Sequence, residues 1–286
     1  TRSFGEDPVR VADKVVAYAS GLEGGGVLSV CKHFPGHGDT AEDSHYTLPA
    51  VHHDRARLDS VELLPFKRYI YDGYAGVMTG HLYVPALDKA RNKPVSMSRA
   101  VVTDLLQKEL GFRGLCFTDA LAMKGATTRK SDNPSVMALL AGNDILLAPT
   151  APINDFAAVK EALEEGILDR EEIEAKIIKI LQYKYIAGLN DYRPVETKGL
   201  SERLNSPHAA WLAAKLNEEA ITLLKNEGDI IPLKQLDKKK IPALSIGDGV
   251  GNEFQKMLGR YDSVACFSIS RNATAAQVQS VYCLLY

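Results

Sequence analysis

The chain reads as an α/β protein in two parts, half of a (β/α) barrel followed by the start of a second α/β domain. Three observations predict this. Helix, strand and polar loop recur four times, at spacings of about 30–50 residues. The strands are near-continuously apolar, as parallel strands buried on both faces are. In three of the four units, chemistry-bearing residues directly follow the strand, where the active sites of such barrels are built.

The 286 residues suffice for one large domain or a domain and a half. A net charge of -2 gives no bulk electrostatic attraction to nucleic acid or to an acidic membrane. No apolar run approaches the roughly 18 residues of a membrane span. Cys31, Cys116, Cys266 and Cys283 are widely spaced and read as small buried hydrophobes, with no zinc-type pair. The start at Thr1, without Met or a signal-like segment, and the apolar finish at Tyr286 predict a piece of a longer protein. The other half of the barrel then precedes Thr1, and the compartment is not readable.

In order, Asp7-Pro8 with Val9, Val11, Ala12, Val15, Val16 and Ala19 predicts an N-capped amphipathic helix, closed by Gly24-Gly25-Gly26. A strand over Val27–Cys31 follows, then a polar loop. Asp59–Tyr71 has helical spacing, and Gly76–Gly80 is the second strand, running into His81. Ser98 is expected to cap a helix through Leu110. Gly114–Phe117 is the third strand, Ser135–Ala141 a short helix and Asn143–Leu147 the fourth strand. Helices near 152–165 and 170–187 complete residues 1–189. A linker over 190–207 is rich in turn formers. Residues 208–286 open with a helix from His208 to Lys225 and continue through strands at Ala243–Ile246 and Val264–Ile269. Gly247-Asp248-Gly249-Val250-Gly251 lacks the third glycine of a dinucleotide fingerprint and reads better as a tight strand-to-helix turn.

The chemistry is concentrated in Lys32–His45. These fourteen residues hold three histidines, three carboxylates, a lysine and two glycines. His33, His37, Asp39, Asp43 and His45, with His52 and His53 nearby, supply enough donors for a metal. Pro35, Gly36 and Gly38 rule out the helix on which His33 and His37 would converge, so no metal is expected. Asp43-Ser44-His45 is sharper. At i and i+2 the carboxylate can hold the imidazole in one tautomer, which suits a general acid/base. A capping Asp beside a surface His explains the same pair. Asp119, after the third strand, is either a helix N-cap or a carboxylate aimed into the site mouth. A carboxylate nucleophile with a separate acid/base is the equipment of retaining glycoside cleavage.

Lys32-His33-Phe34-Pro35-Gly36-His37-Gly38-Asp39-Thr40 with Asp43-Ser44-His45 resembles the signature of glycoside hydrolase family 3, in its β-N-acetylglucosaminidase branch. Arg2–Pro8 and Gly111–Ala126 resemble two further family segments, and the likeness runs from about residue 1 to 190. The resemblance implies the C-terminal half of a (β/α)8 TIM barrel, then the start of an α/β sandwich domain. It implies Asp119 as nucleophile, His45 as acid/base and Asp43 as its orienting partner. Arg2, Lys32 and His33 match sugar-binding positions. It implies no cofactor, and a carbohydrate partner, an N-acetylglucosaminide from cell-wall or chitin-derived glycans. Ala120 departs from relatives that carry a second acid there. The alternatives are a phosphorylase or β-glucosidase of the same family, and a non-catalytic carbohydrate-binding protein.

Overall fold

A computed structural model describes residues 3–40, 47–126, 132–238 and 240–285. The chain divides into two compact units, Thr1–Pro194 and Val195–Tyr286.

In the first unit, Asp7 accepts a side-chain hydrogen bond from Arg10 N and Pro8 occupies the first turn, so α1 (Pro8–Gly24) begins there. Near its end Glu23 reaches out to the sheet. Its Oε1 accepts from Ser29 N at 3.2 Å, Ser29 Oγ at 2.6 Å and Ala75 N at 3.0 Å. One carboxylate thus fixes the residues that precede β1 (Val30–Phe34) and β2 (Gly76–Thr79). Between these strands lie the short α2 (Arg55–Arg57), a wider π-type turn Leu58–Glu62, and α3 (Leu64–Tyr71). Tyr69 of α3 is buried, its hydroxyl donating to Ser29 O at 2.9 Å and accepting from Gly76 N at 3.3 Å.

A π-helical segment, Ala100–Glu109, leads to β3 (Leu115–Thr118). The sheet order is β1-β2-β3, all parallel. Phe34, Leu58, Leu63, Val77, Leu82, Val101, Leu106 and Cys116 form its core. Beyond β3 come α4 (Pro134–Ala141), α5 (Pro152–Glu164) and α6 (Arg170–Ile186). Among the described residues, no helix is long and apolar enough to cross a membrane.

Three expectations for the first unit need correction. The first strand lies at Val30–Phe34, later than Val27–Cys31, so Lys32 and His33 belong to the strand. Val27 is 58% exposed, and the pairing with β2 sets the strand where local apolarity does not. The fourth strand is reduced to a single parallel bridge, Phe117↔Ile145, supported by Thr118 N donating to Ile145 O. Ser98 does not cap the next helix with its side chain; its Oγ donates to Asp88 at 2.5 Å.

Asp144, on that fourth segment, is buried beside two lysines. Its Oδ2 accepts from Cys116 N at 2.8 Å and from Lys179 Nζ at 2.7 Å, and Lys176 Nζ lies 3.9 Å from Oδ1. Burial pulls the Lys176 ammonium below its ordinary range, partly offset by Asp144. Removing one partner leaves a buried charge uncompensated, which costs more than the pair contributes.

In the second unit, α7 (Leu200–Leu204) and α8 (Pro207–Glu219) precede the parallel pair β4 (Ile241–Ile246) and β5 (Val264–Ile269). The helix expected through Lys225 ends at Glu219, leaving Ile221, Leu223 and Leu224 exposed. α9 (Glu253–Leu258) connects β4 to β5, and α10 (Ala275–Leu285) follows β5. The glycine turn after β4 is a strand-to-helix connection. Buried Gln255 of α9 accepts from Gly251 N and donates to Ala243 O and Phe267 O, bracing both strands.

Lys179→Met is expected to lower unfolding free energy by about 3 kcal/mol in urea titrations. The double variant Lys179→Met/Asp144→Leu should recover only part of that loss, because the buried carboxylate is gone while Lys176 keeps its charge without that partner.

Candidate functional site

Parallel pairing brings the C-terminal ends of β1, β2 and β3 side by side. The β1–β2 register runs Lys32↔Met78 and then Phe34↔Thr79, so His33 is the extra residue of a bulge. Bulges re-aim a side chain, and the His33 imidazole stands near the end of β3. His33 Nε2 lies 3.6 Å from Asp119 Oδ2, with the side chains 20% and 14% exposed. The sequence separates these two residues by more than two elements; the sheet makes them neighbours.

Asp119 is held by its backbone. Its N–H donates to Thr79 O at 2.9 Å, extending the ladder one residue past β3. Its Oδ1 accepts from Ala120 N at 2.8 Å. Leu121 is buried with Met97 and Ala126, and its N–H donates to Leu147 O. The carboxylate therefore projects from a fixed support. The backbone of Lys32 pairs with Met78 and its side chain is exposed. Arg2, Asp43 and His45 fall outside the described residues.

Sequence reasoning passed over two groups that shape this end of the sheet. His81, two residues past β2, is 1% exposed. Its Nε2 donates to Ala120 O at 3.1 Å, which leaves Nδ1 to accept from Ser96 Oγ at 2.8 Å in the neutral ring. Burial pushes its pKa below the ordinary 6.5. Asn143, wholly buried, accepts from Thr79 Oγ1 at 2.9 Å and donates to Ser96 O and Ala138 O. The place of His81 just after a strand was a usable signal. Asn143 gave none, since its partners are remote in sequence.

The other histidines separate. His37 Nδ1 is 2.8 Å from Thr40 Oγ1, and its ring packs edge-on against His33. His53 Nε2 lies 2.7 Å from Asp39 Oδ2. Asp39, His53 and Glu62 each offer a ligand atom, all within 4.8 Å of one another. A Cβ on Gly36, where φ is +141°, would meet Glu62 Cβ at 2.7 Å, so the loop closes tightly over Glu62.

Comparison with known proteins places these features in context. Residues 1–183 match the model described as the glycosyl hydrolase family 3 N terminal domain. The chain is 36% identical, over 82% of its length, to the β-hexosaminidase A of Pseudoalteromonas piscicida, of which the match covers 42%. It is 27% identical, again over 82% of its length, to a β-N-acetylglucosaminidase/β-glucosidase of Cellulomonas fimi, covering 43% of that protein. Among solved structures, a family 3 β-N-acetylglucosaminidase from Paenibacillus sp. str. FPU-7 superimposes with a TM-score of 0.83 at 30% identity. That match covers 99% of this chain and 56% of the other. The chain thus spans about half the length of the relatives it matches.

Because His81 is buried neutral, folding opposes its protonation. Its contribution is complete above the unfolded value of 6.5 and is lost as pH falls toward the depressed folded value. Urea midpoints should fall from about pH 7.5 to about pH 5.5, and less steeply in His81→Gln.

Proposed function

Because the chain belongs to glycosyl hydrolase family 3, we propose that it supplies the catalytic residues of a retaining glycosidase. The substrate carries β-linked N-acetylglucosamine, drawn from cell-wall or chitin-derived glycans, and peptidoglycan turnover is a fitting context. The names of the Pseudoalteromonas, Cellulomonas and Paenibacillus relatives support this substrate class. Residues 1–189 are the C-terminal half of a (β/α)8 barrel, 190–207 a linker and 208–286 the start of an α/β sandwich.

The observation that carries this reading is the Asp119 carboxylate at the end of β3, facing His33 from the end of β1 at 3.6 Å. Ala120 N–H holds Oδ1, which orients the carboxylate toward one line of approach. Asp119 attacks the anomeric carbon and forms a glycosyl ester as the C–O bond to the leaving group breaks. His45 donates the proton that the leaving oxygen takes up, and then removes one from water as the ester is cleaved. Asp43 supports the imidazolium stage of His45. His33, Lys32 and Arg2 hydrogen-bond sugar hydroxyls.

In the full-length protein, Asp119→Ala is expected to lower kcat on an aryl β-N-acetylglucosaminide by on the order of 10³-fold or more. His45→Ala should lose about 10²–10⁴-fold on substrates with poor leaving groups, and less on activated aryl glycosides. Unchanged hydrolysis by Asp119→Ala would refute the assignment. Release of sugar 1-phosphate in phosphate buffer would move the reading to phosphorolysis.

A further inference from the structure

We propose that Asp39, His53 and Glu62 form a binding site for a divalent transition metal of the zinc class, tying together the two ends of segment 40–52. The site stands independently of the role given to Asp119, since it shares no residue with it.

Three observations carry it. The donor set is one imidazole and two carboxylates, and its ligand atoms fall within 4.8 Å of one another. This composition suits zinc and its neighbours, with a position left for water. Second, the Glu62 side chain is only 7% exposed, and its Oε2 is buried without a hydrogen-bond partner among the described residues. Buried carboxylate oxygens are normally satisfied, so this one lacks a donor or a cation. Arg57 contacts only the other oxygen, Oε1, at 3.2 Å. Third, two carboxylates converge on one imidazole, and among the described residues the Arg57 guanidinium pairs with Glu62 alone.

The location gives the site a consequence. Asp39 and His53 bracket the sequence that contains Asp43 and His45. Their side chains already meet at 2.7 Å, so the two ends of the segment are adjacent. Glu62, in the turn that leads to α3, anchors both to a packed element. A bound metal fixes the base of the loop without contacting Asp119.

Calorimetric titration of the metal-stripped full chain with Zn²⁺ tests this, in a Cys266→Ser/Cys283→Ser background that removes the more accessible thiols. One site is expected, weakened about 10–100-fold or more in Asp39→Asn and in Glu62→Gln. Asp39 is an exposed residue, so Asp39→Asn reports on ligation even where Glu62→Gln disturbs packing. Co²⁺ in place of Zn²⁺ should give visible bands without thiolate charge transfer. Equal Zn²⁺ affinity in wild type and Asp39→Asn would overturn the proposal. So would binding abolished by Asp43→Asn/His45→Ala but untouched by His53→Ala, which would put the metal on the proton-transfer pair.

Discussion

The end of the sheet depends on one buried amide. Asn143 accepts from Thr79 Oγ1 with its oxygen and uses both its N–H donors, on Ser96 O and Ala138 O. It thereby joins the end of β2, the turn before the π-helical segment, and α4. Thr79 O in turn accepts from Asp119 N, so the Asp119 carboxylate inherits its position from this network. His81 acts in the same layer, linking Ser96 to Ala120. Buried polar networks with every member satisfied hold one geometry, because any shift leaves a group unpaired at low dielectric.

The first unit separates its polar groups by purpose. Asn143 and His81 are closed in and matched, and they set backbone positions. Asp144 is likewise enclosed, with Lys179 and Lys176 around it. Asp119 and His33 remain partly open at the strand ends, where a ligand can reach them. Glu62 Oε2 and Asp144 Oδ1 are both buried without a hydrogen-bond partner among the described residues, but Asp144 Oδ1 has the Lys176 ammonium 3.9 Å away.

Much of the fold was legible locally. The helices at 8–24, 134–141, 152–164 and 170–186 follow from caps, prolines and spacing, because a helix closes its hydrogen bonds within itself. Strand bounds were less legible. Residues 30–34 are a strand because Gly76–Thr79 offers a ladder to them, and the reduced fourth strand makes, among the described residues, a single bridge to Phe117. The helix after His208 stopped short of Lys225, and no described contact holds Ile221 or Leu224 out of water.

By itself the sequence determined where the titratable side chains gather along the chain. Lys32–His45 and Thr118-Asp119 stand out because polar and titratable side chains cluster where apolar strands end. Their type and spacing are covalent facts. Only the tertiary structure decided which of them meet. Parallel pairing set His33 against Asp119, and loop closure over Gly36 set Asp39 and His53 beside Glu62. Through-space distance is fixed by strand register and packing between remote segments. A linear pattern records neither.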